Sequence, residues 1–540
     1  MAITRDDTLL TPELIERYTA AGYWSDATLA DVFRRNAQEF PDRVAYVDDR
    51  AEITWGELWR ISGEVASGLA RRGVRRGDVV AVQLPNRLEF VHVLAAVVRL
   101  GAVFCQFPPD YRAREVEFIL GFSEAHTVVV PDRFRNFDHV EMIDGIRSRL
   151  PRLVNTVAVS TEEPADGWVT LDQVRRDPDP DDPAPDRPSD ANDVMRISFT
   201  SGTTGEPKAV MHTANTTLFT IQHEIDELGI DRDATLLVLL PVGLNAGFFG
   251  IVEAALAGAR AVLMEKFQAT ALLDLVERYS VTTFCAAPTA VIAILAEESL
   301  GDRDLSSLKV VESGGSSTPV EVLREANERL GCPVVDLYGM LETGLTSCTS
   351  PDEPYEEWVG TVGRPYPWLQ LRVLDAEDRD APIGTEGEIV KTGPTLTVGY
   401  YRNPAKNAES WTSDGWFRSG DRGFLDADGR LTISGRSKDM IIHGGANIWP
   451  RELEEVLFKH PAVADAAVIG IPDDYFGENV CACVVPRSGE ALTLEDVVDF
   501  MKSEVAKYKL PQRLELFEFL PLGPTGKVLK RELADQVGTR

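Results

Sequence analysis

The residues from Thr200 to Lys208, TSGTTGEPK, concentrate the groups that bind phosphate. Thr200, Ser201, Thr203 and Thr204 bring hydroxyl donors, Gly202 and Gly205 let backbone N–H groups close around an anion, and Lys208 adds a mobile positive charge. An apolar run, Val194 to Thr200, leads into the string and reads as a strand. The spacing departs from G-x-x-x-x-G-K-[ST], so the segment is a phosphate cradle but not a Walker-type loop. A surface turn rich in Ser, Thr and Gly is the bland alternative, and the density of donors beside a lysine favours phosphate.

A cradle of this kind needs a rigid layer behind it. From about Leu29 to Val130, helical-period stretches such as Gly56 to Arg71 alternate with short apolar runs such as Val79 to Gln83 and Thr127 to Val130. Residues Arg176 to Asp193 mix proline with like charge and read as a solvated loop. Alternation resumes through Leu236 to Leu240, Ala261 to Met264, Thr283 to Ala286 and Val310 to Glu312, and continues to about residue 340. From Gly360 to Ile433 the texture changes to short β runs broken by Gly and Pro. After Arg436 the pattern is compact and βαβ-like, with helices at Pro450 to His460 and Leu494 to Val505 and strands at Ala464 to Ile471 and Cys481 to Pro486. The expected fold class is α/β: a large N-terminal domain of layered sheets over 1–435, with a small β subdomain at about 360–435, and a small α+β C-terminal domain over 436–540.

The 540 residues carry 55 Lys+Arg against 86 Asp+Glu, a formal charge of −31. Such a field repels nucleic acid and anionic membrane surfaces, so neither is an expected partner, and a nucleotide must be held by a local site. The six cysteines lack the spacing of a zinc site or the density of a disulfide framework, and Cys481 and Cys483 read as packed side chains of one strand. The first residues, MAITRDDTLLTPELIERY, contain no apolar run of signal or membrane-spanning length. A cytoplasmic protein, monomeric or homodimeric, is the expectation.

Four more motifs follow the phosphate loop in order: YGMLETG (Tyr338 to Gly344), SGDRGFLDADGRL (Ser419 to Leu431), a GRxKD element at Gly435 to Asp439, and LPLGPTGKVLKREL ending at Leu533. Together they resemble the adenylate-forming superfamily of acyl-CoA synthetases, nonribosomal peptide adenylation domains and firefly luciferase, from Leu29 to Leu533. The resemblance implies that ATP is bound by the Thr200–Lys208 loop with Gly314, Gly315, Tyr338 and Gly339 beside it. It implies Mg²⁺ on Glu342, ribose hydroxyls on Asp421 next to Arg436, and Lys527 reaching the acid's carboxylate and the α-phosphate. It also implies a mobile C-terminal domain that turns about Lys438, withdraws Lys527 and presents Gly444 and Gly445 to a thiol. Read one at a time, Asp421 is a turn residue, Glu342 a solvated charge, Lys527 a tail lysine, and Gly444 and Gly445 a tight hairpin.

The implied reaction joins a small carboxylic acid to AMP, releases pyrophosphate and passes the acyl group to CoA or to the phosphopantetheine of an acyl carrier protein. Relatives that adenylate nitrite for transfer to an arylamine are a third possibility. The chain departs from the family at Leu341, where a hydroxyl residue usually precedes the Glu, and at Leu244, where many acyl-CoA ligases have an aromatic or His gate. Asn245 follows, as in enzymes that activate hydroxybenzoates, though a helix cap is an equal reading of it. With AGYWSDATLADVF and YGMLETGLTSC, it favours a compact aromatic or cyclic acid, held near Leu244, Asn245, Gly315 and Leu341. His212 and His443 lie near motifs, but neither is matched with a nucleophilic Ser or Cys, so a hydrolase triad is not expected.

Overall fold

Apolar strands gather into two large sheets in the computed structural model, which describes residues 2–538 apart from 163–164, 178–188, 201–206, 437–438, 474 and 524–525. The nine-stranded sheet runs, in spatial order, Arg364–Pro365, Gly344–Cys348, Val334–Met340, Val310–Gly314, Thr283–Ala286, Thr235–Val238, Arg260–Leu263, Val44–Val47 and Glu52–Thr54. Its central strands are parallel and largely apolar, with helices packed on the sheet. The seven-stranded sheet runs Ala209–Thr213, Val194–Phe199, Val103–Gln106, Val79–Val82, Thr127–Pro131, Asn155–Val159 and Val169–Thr170.

Helices lie between the sheets and bind them into one core. A single apolar cluster joins Val80 and Phe104 of the seven-stranded sheet to Tyr46 and Leu236 of the nine-stranded one through Leu94, Phe248 and Val252 of intervening helices. The helix Ala214–Leu228 starts where the Thr213 hydroxyl accepts from the Thr216 amide, and stops at Gly229, whose φ of +64° ends the helical path. The helix Asn245–Ala257 packs beside it.

The Gly- and Pro-punctuated region forms a four-stranded antiparallel sheet of Gln370–Leu374, Gly387–Thr392, Phe417–Leu425 and Leu431–Arg436. Beyond it lies a five-stranded sheet with its own apolar cluster. The βαβ-like expectation needs correcting here. Val463–Asp473 and Gly477–Pro486 are an antiparallel hairpin, and the parallel crossover is made later, by Gly477–Pro486, the helix Leu494–Met501 and the strand Arg513–Leu516. That helix stops before the expected Val505, since Lys502, Ser503 and Glu504 offer it no apolar face to bury.

Cys481 and Cys483 are buried on one side of their strand, and none of the six cysteines is bridged. Among the described residues, no helix is long and apolar enough to cross a membrane.

Candidate active site

The two ends of the Thr200–Lys208 segment are tied together. The Thr200 amide donates to the Lys208 carbonyl at 3.1 Å, and the Lys208 amide donates to Thr200 Oγ1 at 3.3 Å. Ser201, Gly202, Thr203, Thr204 and Gly205 lie outside the described residues. Lys208 Nζ sits 5.3 Å from the centre of the Tyr400 ring, and burial lowers its pKa while Glu342 opposes that effect.

Glu342 is 6% exposed, so it is no solvated charge. Tyr400 donates its hydroxyl to Glu342 Oε1 at 2.9 Å, and the Thr397 amide donates to the Glu342 carbonyl at 2.6 Å. One residue earlier, His212 Nε2 meets the Leu341 carbonyl at 2.6 Å, so that nitrogen carries the proton and Nδ1 accepts from the Thr216 hydroxyl at 3.1 Å. Burial holds the His212 pKa down at about 3, which keeps the ring neutral. Leu341, which replaces the usual hydroxyl residue, packs against the cluster of Val210, Tyr400 and Phe417. An apolar side chain there supports the ring that holds Glu342.

Asp421 lies in the strand Phe417–Leu425, not in a turn. Its register partner is Arg436, whose Nε donates to Asp421 Oδ1 at 2.9 Å, while Tyr338 donates its hydroxyl to Oδ2 at 2.7 Å. Burial opposes the Arg436 charge, yet Asp421 and Asp439 leave its pKa above the ordinary value. Behind Tyr338 lies Lys391, fully buried, with Nζ 4.1 Å from the ring centre and 2.9 Å from Thr346 Oγ1. Burial lowers its pKa to about 7, against the pull of Asp421 and Glu342. The sequence reading passed over Lys391, Tyr400 and the role of His212. The only signal for Lys391 was a charge inside the buried strand GEIVKT.

The C-terminal segment reaches the same place. A Cβ on Gly315 would lie 3.8 Å from Lys527 Cε, and Thr289 Oγ1 donates to the carbonyl of Gly526 at 3.2 Å. Gly314 faces Leu337, and a Cβ at Gly339 would come within 2.7 Å of the Gly344 carbonyl oxygen, so only glycine fits there. Gly444 and Gly445 form the turn between Ile441–His443 and Ala446–Ile448, with φ of +58° and +83°. The Gly444 amide donates to the Phe476 carbonyl at 2.8 Å. Lys438 lies outside the described residues.

Leu244 is the N-cap of the helix Asn245–Ala257 and makes no side-chain cap bond, so Asn245 is not the cap. Its Oδ1 instead accepts from Arg196 Nη1 at 2.8 Å. Arg196 is 1% exposed, lies over the rings of Phe248 and Phe249, and burial lowers its pKa to about 9. The cap alternative fails because the strand Val194–Phe199 carries a buried guanidinium that needs this acceptor.

Lys208 and Arg436 thus share one field with the carboxylates Glu342 and Asp421, and Lys527 lies beside Gly315, a set of groups suited to polyphosphate, a divalent cation and ribose hydroxyls.

The profile of the AMP-binding enzyme family matches residues 33–401, and that of the AMP-binding enzyme C-terminal domain matches 452–527. The chain is 32% identical over 533 residues to the 2,3-dihydroxybenzoate-AMP ligase of Bacillus subtilis (strain 168), covering 98% of this chain and 97% of the relative. It is 33% identical over 517 residues to the medium-chain fatty-acid–CoA ligase of Escherichia coli (strain K12), covering 95% and 91%. Its fold matches the crystal structure of an anthranilate CoA ligase in complex with anthranoyl-AMP, with a TM-score of 0.88 and 26% identity over 96% of this chain and 100% of that one. The chain is therefore an adenylate-forming ligase and belongs to the AMP-binding enzyme family.

Proposed function

We propose that this ligase activates a compact aromatic or cyclic carboxylic acid as its acyl adenylate and then transfers the acyl group to the thiol of CoA. The observation that carries the reading is the closeness of Lys527 to Gly315, which follows the strand paired with the one carrying Tyr338, the donor to Asp421.

In the first step a carboxylate oxygen of the acid bonds to the α-phosphorus of ATP, and the bond to pyrophosphate breaks. Charge builds on the α-phosphate, and the Lys527 ammonium beside Gly315 supplies an opposite charge to both anions. Lys208, at the end of the phosphate loop, would hold the β- and γ-phosphates, and Asp421 would accept the ribose hydroxyls. Glu342 fits Mg²⁺ as a buried carboxylate whose Oε1 is oriented by Tyr400, and the ion would neutralise phosphate charge there. In the second step the thiol sulfur bonds to the acyl carbon and AMP leaves. The hairpin at Gly444 and Gly445 is the proposed thiol path, after a turn of the C-terminal domain about Lys438.

The support for an aromatic or cyclic acid is Asn245 directly after Leu244, at the start of the helix Asn245–Ala257, together with the relatives. Two relatives act on aromatic acids by name and one on medium-chain fatty acids. The test is ATP–[³²P]pyrophosphate exchange across benzoates, cinnamates, cyclic and aliphatic acids and nitrite, followed by CoA capture. Exchange with aromatic or cyclic acids is expected, with a loss of about 10²-fold or more in Lys527→Ala. Exchange with straight-chain acids alone would overturn the substrate class.

A further inference from the structure

Between the nine-stranded sheet and the helices Ala214–Leu228 and Asn245–Ala257 lies a group of three carboxyls that none of the steps above uses. Glu224 comes from the first helix, Glu253 from the second and Glu312 from the strand Val310–Gly314, and they are 2%, 7% and 2% exposed. Glu224 lies within hydrogen-bond reach of both Glu253 and Glu312, and no Lys or Arg among the described residues offsets the three. Burial and mutual repulsion push their carboxyls toward the protonated form, with Glu312 raised to about 8. Apolar side chains of the same size would be cheaper at such a place.

Two further observations point to a ligand. The Tyr366 hydroxyl is buried within the field of Glu224, Glu312 and Cys348 and has no hydrogen-bond partner. Cys285, the register partner of Glu312 on the neighbouring central strand, is only half-buried, although it lies in the middle of the sheet.

Glu312 is three residues behind Gly315 on the same chain segment, and Gly315 is the residue beside Lys527. At 3.2–3.4 Å per strand residue, Glu312 sits roughly 10 Å behind Gly315 along the chain, a depth that one substituted ring fills.

We propose that Glu224, Glu253 and Glu312 form the far end of the acid pocket and select an acid that carries a primary amino group remote from its carboxylate. This rests on the adenylation reading above and deepens it. A primary nitrogen brings two N–H donors, or three when protonated, to a site built of acceptors that otherwise hold one another's protons. A methyl group in its place would leave the carboxyls and Tyr366 unmatched, and sites built on polar contacts reject such analogues strongly.

The experiment pairs each amino-substituted aromatic or cyclic acid with its methyl isostere, on the full-length protein, in pyrophosphate exchange and in calorimetric binding of the acid alone. The expected result is a preference for the amino acid of each pair by about 10²-fold or more, reduced at least tenfold in Glu312→Gln and Glu224→Gln. Arylamines and alkylamines in the panel separate a neutral donor from a cation. Equal use of both members by the wild-type protein, or an unchanged preference in the Gln variants, would overturn the proposal. Calorimetry keeps the two readings apart: amine-selective binding without exchange sinks adenylation alone, whereas exchange without amine preference sinks this assignment alone.

Discussion

Arg196 Nη1 donates to Asn245 Oδ1 at 2.8 Å, and this bond ties a strand of the seven-stranded sheet to the first turn of the helix Asn245–Ala257. Arg196 Nε has no partner, so Asn245 matters more to this guanidinium than one bond usually would. Replacing Asn245 with Ala removes an acceptor from a buried cation, at a cost of about 1–3 kcal/mol. Thermal unfolding should show a lower Tm for Asn245→Ala and recovery in Asn245→Asp, which restores the acceptor with a charge. An unchanged Tm in the Ala variant would mean that the pair contributes little.

Tyr400 orients Glu342 through a single hydroxyl, which separates the two roles experimentally. Tyr400→Phe should slow pyrophosphate exchange by up to about tenfold, the loss of one hydrogen bond. Glu342→Gln should slow it by about 10²-fold or more and raise the Mg²⁺ concentration needed for half-maximal exchange. Equal losses in both variants would show that orientation is the whole of the Glu342 contribution.

Lys391 is buried with a pKa of about 7 against an ordinary 10.5. The unfolded chain therefore binds this proton more tightly than the folded one, and the penalty is full below pH 7 and vanishes as pH rises toward 10.5. Each pKa unit is worth about 1.4 kcal/mol. Lys391→Met should accordingly raise Tm at pH 7 and lose that advantage by about pH 10, as measured by calorimetric scans across the range.

Asp336 gives the opposite dependence. Burial raises its pKa to about 7 from 3.8, with the Thr318 hydroxyl donating to Oδ1 at 3.0 Å. The folded state then holds a proton that the unfolded state has released, so stability is lost as pH rises from about 4 through 7. Asp336→Asn should match the wild-type Tm at pH 4 and exceed it at pH 8. A gain of the same size at both pH values would trace the effect to something other than this proton.

Much of the site was readable because local chemistry and local spacing coincide in it. The phosphate loop packs its donors into consecutive residues, and Tyr338, Asp421, Arg436 and Lys527 each sit inside a short motif. Strand and helix identities followed from periodicity, and the misjudged pieces were those set by partners. The hairpin of Val463–Asp473 with Gly477–Pro486 depends on which strands pair, and the end of the helix at Met501 depends on where its apolar face runs out.

Long-range contacts were invisible for the same reason. Nothing in the run GEIVKT says that Lys391 will lie under Tyr338, and nothing around Asn245 says that its acceptor is taken by Arg196, 49 residues earlier. The sequence by itself determined the layered α/β class and the order of the motifs, because these rest on residue type and near-neighbour spacing. Only the tertiary structure decided that Lys527 comes to Gly315, that His212 holds the Leu341 carbonyl and that Glu224, Glu253 and Glu312 are buried together. Those relationships arise when separate helices and strands exclude water between them, and burial then sets which polar groups must find one another.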